Sequence, residues 1–422
     1  MLSLKKSSIS IFLLILFYKY LVDVSYLVTE NRFSYGGMFF LDRSFLSSLT
    51  SWVLLIVSIP FITKAFNENS LASKIVITLY LISFVPTISL IGFRSDYDPY
   101  YVTLICLYWF VFLTLWNVLP KINLISTSFK SNLFFYLIIL ICSLVVIYVS
   151  GRYTGFHIQT DIYNVYEIRA EARGFSLSLP IRYLLLFADN ILPFGVVYLI
   201  HQKKYSFAAI VAFIVILNFS ITGSKQIFAL LILGVMGYWF YRFISKPIML
   251  PIMFSFALCL CLIEPLITDT YFLNTFFPYR VLFIPAESHY SYFSFFSIST
   301  NQFDFFQQGP LRAFYDSDYT TGLAFLIADF TIGDIGARAN NGLFSDAYQN
   351  LGPLGILIMP ILTILYLKTL DGATENTDQR LYFVLLLYIS FVLLGIPLTT
   401  ALLSSGLFAL MLVLYFLPKN RN

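Results

Sequence analysis

Twelve runs of apolar residues, each close to the length that crosses a bilayer, dictate what this chain can fold into. A helical span needs roughly 20 such residues. The runs lie at Ser8 to Val28, Phe45 to Phe66, Ile75 to Gly92, Pro99 to Leu119, Asn132 to Ser150, Ile181 to Ile200, Tyr205 to Thr222, Gln226 to Ile244, Pro247 to Ile267, Leu351 to Leu370, Leu381 to Pro397 and Thr399 to Leu417. No water satisfies a peptide group in hydrocarbon, so such segments fold as helices. The expected fold class is an all-α polytopic integral membrane protein of about twelve transmembrane helices. Composition requires the same, because 59% hydrophobic and 11% charged residues leave too little polar surface for a water-soluble protein. The first run follows Lys5 and Lys6 without a small-residue cleavage site, so it reads as a retained anchor. With no internal repeat or linker, residues 1–422 read as a single integral membrane domain.

Charge sets the expected orientation. With both termini in the cytoplasm, 11 of the 13 lysines fall inside, in short loops, as the positive-inside rule asks. That rule does not account for the arginines, because 10 of the 13 then fall outside. A planar guanidinium grips phosphate through paired hydrogen bonds, so an outer collection of arginines points to an anionic ligand on that face. The net charge of +4 is spread over many short loops with no basic tail, which argues against a nucleic-acid partner. Cys106, Cys142, Cys259 and Cys261 fall in the expected spans, without a metal or disulfide pattern.

Two outer loops are long enough to carry function, residues 151–180 and the large loop 268–350 between the ninth and tenth helices. The first holds Arg152, Arg169 and Arg173. If residues 161–173 are helical, Arg169 and Arg173 share a face at i,i+4, and Glu167 and Glu171 point about 200° away from it. The two guanidinium groups would then be free for a pyrophosphate, or would meet lipid phosphates from a surface helix. The large loop holds Arg280, Arg312 and Arg338 among eight acids, with which they could equally pair. His289 and Glu287 lie two residues apart, and either could serve as a general base toward a sugar hydroxyl. Lys225, in the turn ThrGlySerLysGlnIle at 222–227, is a cation at an outer face otherwise without lysines, as a lipid-phosphate contact or a snorkelling side chain. Asn340, Asn341 and Asp346 offer amides and a carboxylate to sugar hydroxyls or to helix caps. Lys19 and Asp23, four apart in the first span, read as a buried ion pair. Arg32, Arg43 and Arg94 read as incidental, beside acids such as Asp42 and Asp96.

Three of these segments carry a likeness to a known family. The GlySerLysGln turn at 223–226, the ArgValLeuPheIlePro stretch at 280–285 followed by SerHisTyrSerTyrPhe at 288–293, and AsnAsnGlyLeuPheSerAspAlaTyrGlnAsnLeuGly at 340–352 resemble the Wzy family of bacterial oligosaccharide repeat-unit polymerases, which build O-antigen or capsule. The resemblance covers architecture along most of the chain and short motifs in about a tenth of it. Where the family often shows GlySerArg, this chain has GlySerLys, which suits a point charge better than a bidentate grip. The family's paired arginine-and-glycine loop repeat does not occur here with its spacing.

The resemblance implies a GT-C-like polymerase or ligase architecture in the bacterial cytoplasmic (inner) membrane, with the active site facing the periplasm. It also implies a metal-independent glycosyl transfer without a cofactor. A growing glycan on undecaprenyl pyrophosphate would be the donor, and a second lipid-linked repeat unit the acceptor. Partners would be that lipid-linked oligosaccharide and the bilayer, with a chain-length regulator and a flippase as possible associates. Arg169, Arg173, Arg280, Arg338 and Lys225 would hold the pyrophosphate, because its developing charge needs fixed cations. His289 or Glu287 would assist the acceptor hydroxyl, beside Arg280, and Asn340, Asn341 and Asp346 would contact sugar. An O-antigen ligase would share this fold and these arginines. A lipid-linked oligosaccharide flippase would bury its charges in a central cavity and keep its loops short.

Overall fold

A computed structural model of the chain describes residues 2–33, 39–125, 131–159, 165–298, 300–308, 319–334, 336–375 and 377–418. Among these residues the regular elements are all helices, with one isolated bridge between Asp42 and Arg94. Nine helices among the described residues are long and apolar enough to cross a membrane: Ser8–Phe33, Phe45–Asn67, Leu71–Phe93, Pro99–Val118, Asn132–Thr154, Leu179–His201, Tyr205–Thr222, Met249–Thr268 and Phe344–Thr374. The protein is an all-helical, polytopic membrane protein.

Three of the twelve expected runs form helices shorter than these nine. Lys225–Trp239 stops when Phe240 leaves helical geometry at φ −89° and ψ 13°. The run at 381–397 ends with the helix at Gly395, two residues before Pro397, as the bias of a residue before proline favours. The last run divides into Leu398–Leu403 and Leu407–Phe416, with Gly406 in the left-handed region at φ 77° between them. Apolar composition predicts burial in lipid or protein, and only an unbroken length of it predicts a span.

The chain forms two compact units from discontinuous segments, residues 1–121, 246–368 and 392–399, and residues 122–245, 369–391 and 400–422. At the centre of the first unit, Leu71–Phe93 is buried along its length, its Ser73, Lys74, Thr78, Ser83, Thr87 and Ser89 included. Capping boxes at Ser44 and Ser70 start Phe45–Asn67 and Leu71–Phe93, and Asp98 caps the next helix ahead of Pro99. Residues Tyr80–Phe84 of the central helix wind as a π-helix, and the Tyr18 hydroxyl donates to the Leu81 carbonyl there at 3.0 Å.

The described part of the 268–350 segment carries several helices. A π-helical stretch, Thr275–Phe283, leads into Ile284–Phe296, and Leu323–Ile332 follows. Its aromatics explain why: Tyr290 packs 4.4 Å from Tyr97 and 5.0 Å from Tyr101, while Phe293 lies 5.3 Å from Tyr348.

In the second unit, Asn132–Thr154, Leu179–His201, Tyr205–Thr222 and Lys225–Trp239 pack with small residues at close approaches. A Cβ on Gly195 would stand 3.0 Å from Ile139, and one on Gly234 2.9 Å from Val384. The short helix Val165–Arg173 lies across this unit through Val165 and Ile168, which bury against Phe219.

Candidate functional site

The polar interior of the first unit begins where its central helix ends. Arg94 follows that helix in an extended conformation, and the backbone there pairs with residue 42: Asp42 N donates to Phe93 O at 3.0 Å and Ser95 N to Asp42 O at 2.7 Å. The Arg94 side chain is therefore delivered to the interior and is only 5% exposed. Its Nε and Nη2 fork onto Asp96 at 3.0 and 2.7 Å, and Nη1 donates to Glu287 Oε1 at 2.6 Å. Tyr97 donates to the other Glu287 oxygen at 2.5 Å. Three rings surround the cation: Phe40 at 4.1 Å, Tyr97 at 4.4 Å and Tyr290 at 5.8 Å.

Burial by itself would lower the Arg94 pKa; the Asp96 hydrogen bonds and the nearby negative charges outweigh it, so the guanidinium stays charged. Burial likewise raises the Glu287 pKa, and the Arg94 charge opposes that rise. Arg94 is thus a buried brace between two segments 193 residues apart. Its pairing with Asp96 follows from sequence proximity. The Glu287 contact does not, because no local pattern joins residues 193 apart.

His289 sits on the same helix as Glu287 but faces elsewhere, since two helical steps turn the side chain by about 200°. Its Nδ1 meets Ser345 Oγ at 2.8 Å and its Nε2 meets Ser83 Oγ at 3.3 Å, Ser83 lying in the π-helical stretch of the central helix. Burial pushes the imidazole pKa down to about 3, so the ring is neutral. The two candidate bases therefore occupy separate settings, each with its polar atoms already hydrogen-bonded.

The candidate sugar ligands are mostly turned inward. Asn341 donates to Gln349 Oε1 at 2.6 Å, and Asp346 accepts from Asn350 Nδ2 and from Leu398 N, both at 2.8 Å. Asp346 thereby fastens the start of Leu398–Leu403. Asn340 is half-buried.

The arginines of the anion set behave differently from Arg94. Arg280, near the end of the π-helical stretch, is exposed and lies 5.9 Å from the Tyr279 ring. Arg338 is exposed over Phe325 at 5.1 Å. Neither pairs with a carboxylate among the described residues, so the expected alternative, pairing within the acidic loop, is absent there. Arg312 lies outside the described residues.

In the second unit, the structure brings Arg169 to the 223–225 turn. Arg169 Nε donates to Gly223 O at 3.2 Å, and the rest of the exposed side chain stands beside the turn that carries Lys225. Gly223 has φ 61°, and a Cβ there would lie 2.9 Å from Val165 and 3.2 Å from Arg169, so only glycine fits. Lys225 begins Lys225–Trp239, where an anion is favoured by the helix dipole. The side chain of Arg173 lies outside the described residues, although its backbone completes the Val165–Arg173 helix. The candidates thus form two sets, Arg280, Glu287, His289, Arg338, Asn340, Asn341 and Asp346 in the first unit, and Arg169, Arg173 and Lys225 in the second.

Comparison with protein-family models, with curated proteins and with solved structures returns no match. Among the described residues no group of three or more His, Cys, Asp or Glu side chains converges as metal ligands do.

Proposed function

We propose that the protein polymerises lipid-linked oligosaccharide repeat units at the outer face of the bacterial cytoplasmic membrane, as the Wzy-like segments imply, with both termini in the cytoplasm, as the lysine distribution implies. The single observation that carries this reading is the exposure of Arg169, Arg280 and Arg338 without a carboxylate partner among the described residues. Guanidinium groups left unpaired in a chain with so few charges suit a ligand that brings its own negative charge. A second support is that two family-like segments meet, at the His289 to Ser345 contact and at Phe293 against Tyr348.

In the proposed step, an acceptor sugar hydroxyl attacks the anomeric carbon of the donor glycan. The new glycosidic C–O bond forms as the bond to the polyprenyl pyrophosphate breaks, and the lipid pyrophosphate leaves with the electron pair. Arg280 and Arg338 stabilise that leaving charge, and Arg169 beside the 223–225 turn offers a phosphate contact within the second unit. The acceptor proton passes to Glu287 or His289, which must exchange a present hydrogen-bond partner as substrate binds. Arg94 holds Glu287 in place and takes no part in bonding to substrate.

Deleting the gene and restoring it with variants tests the reading. The expected result is that the deletion strain displays single repeat units on the lipid core, that the intact gene restores long polymer, and that Arg280→Glu does not although it inserts normally. Free lipid-linked polymer in the deletion strain would mark a ligase, and substrate held at the cytoplasmic face a flippase. Full-length polymer with Arg280→Glu overturns the assigned role.

A further inference from the structure

A groove opens in the first unit beside the start of Phe45–Asn67. There Arg43, Ser44, Phe45, Ser48, Leu49 and Trp52 line a groove of about 630 Å³. Phe45 is 84% exposed and Leu49 48% exposed, so the wall is an unsheltered apolar surface. Because it flanks the first turns of a helix long enough to cross a membrane, it lies at the boundary between hydrocarbon and water whichever way the chain inserts.

The polar end of the groove is one cation. Arg43 is exposed, its Nε donates to Ser48 Oγ at 3.0 Å, and its guanidinium lies 5.2 Å from the Phe93 ring. That tether orients the fork without neutralising it. No carboxylate pairs with Arg43 among the described residues, although Asp42 is its neighbour. The bridge at residue 42 explains this: in extended backbone successive side chains point to opposite faces, and Asp42 Oδ2 accepts from Ser95 Oγ at 2.5 Å. Ser44 Oγ accepts from Ser47 N at 2.9 Å, and Arg43 supplies the charge of the groove.

The apolar wall is braced from behind. Lys19, buried and ion-paired with Asp23 at 2.5 Å, holds its ammonium 4.9 Å from the Trp52 ring. This pair, which the glycosyl transfer does not use, fixes the ring that closes the groove.

We infer that this groove binds an anionic glycerophospholipid of the bilayer, its phosphodiester on the Arg43 fork and an acyl chain along Phe45, Leu49 and Trp52. One guanidinium matches the single charge of a phosphodiester, whereas a pyrophosphate calls for several cations. The site is independent of the proposed polymerase activity.

Native mass spectrometry of the detergent-purified full-length protein tests it, with phosphatidylglycerol, phosphatidylcholine and a polyprenyl monophosphate as probes. The expected preference for phosphatidylglycerol over phosphatidylcholine is about fivefold, the contribution of one basic residue near an anionic phosphate. Arg43→Gln should erase that preference, Arg43→Lys should keep most of it, and Leu49→Glu should weaken both phospholipids. Thermal unfolding shows that each variant is folded. Equal binding of the two phospholipids by the native protein overturns the proposal, as does an unchanged preference in Arg43→Gln. Displacement of phosphatidylglycerol by polyprenyl phosphate at lower concentration also overturns it.

Discussion

Arg94 and Arg280 belong to the same unit and lie beside aromatic rings, yet their surroundings assign them opposite work. Arg94 is buried, forked onto Asp96 and bonded to Glu287. Arg280 is exposed and touches a tyrosine ring, with no carboxylate beside it among the described residues. A buried guanidinium whose donors are taken by carboxylates holds the fold together; an exposed one without such partners is available to a ligand. Where an arginine stands in the expected topology is therefore a weaker guide to its role than what it already touches.

The largest expected effect is on the brace. Arg94→Ala leaves Glu287 buried without its cation, and stability should fall by about 3–5 kcal/mol. Thermal unfolding of the purified protein in detergent checks this. The pair Arg94→Met with Glu287→Leu should recover most of the loss, because removing both charges removes the uncompensated one. Equal destabilisation by the single and double variants would show that the comparison misjudges the brace. Arg280→Ala, by contrast, should change stability by no more than about 0.5 kcal/mol, as for a surface residue.

A smaller effect is expected at the turn where Arg169 rests. Gly223→Ala forces a side chain into the left-handed region and against Val165, at a cost of about 2 kcal/mol. Because the same Cβ presses on Arg169, polymer synthesis should fall further than stability accounts for. Polymer length on a gel, set beside the unfolding midpoint, separates the two effects.

The fold and the candidate site were legible in the sequence only in part. Nine of the expected twelve apolar runs form helices of spanning length, because length and composition are properties of contiguous residues. The other three carry breaks that composition alone does not weigh, such as Pro397 and the left-handed Gly406. Arg94 looked incidental because Asp96 is its neighbour in sequence and Glu287 is not. The Glu287 and His289 pair looked like one site by spacing, and the helix turns them into different settings. The meeting of Arg169 with the 223–225 turn depends on how Val165 and Ile168 bury against Phe219, which no local pattern states.

A pH dependence separates His289 from Glu287. The folded imidazole pKa is about 3, against about 6.5 for an unfolded histidine. Between those values the unfolded chain binds the extra proton, so the stability contributed by His289 is complete above about pH 6.5 and declines as pH falls toward 3. The slope from one such group is at most about 1.4 kcal/mol per pH unit. His289→Gln should flatten the unfolding midpoint across this window. An unchanged slope would mean that the imidazole is accessible to protons in the folded protein, and so closer to a working base than its buried contacts with Ser83 and Ser345 suggest.

The most direct measurement uses purified protein in a lipid nanodisc with one defined polyprenyl-pyrophosphate oligosaccharide, following release of free polyprenyl pyrophosphate together with the lengthened glycan. The native chain should release the two in equal amounts. Arg280→Glu should slow both by at least about a hundredfold, the order expected when one stabilising donor to a leaving charge is removed, with the unfolding midpoint unchanged. A native rate in Arg280→Glu, or no glycan lengthening by the native protein, would contradict the account.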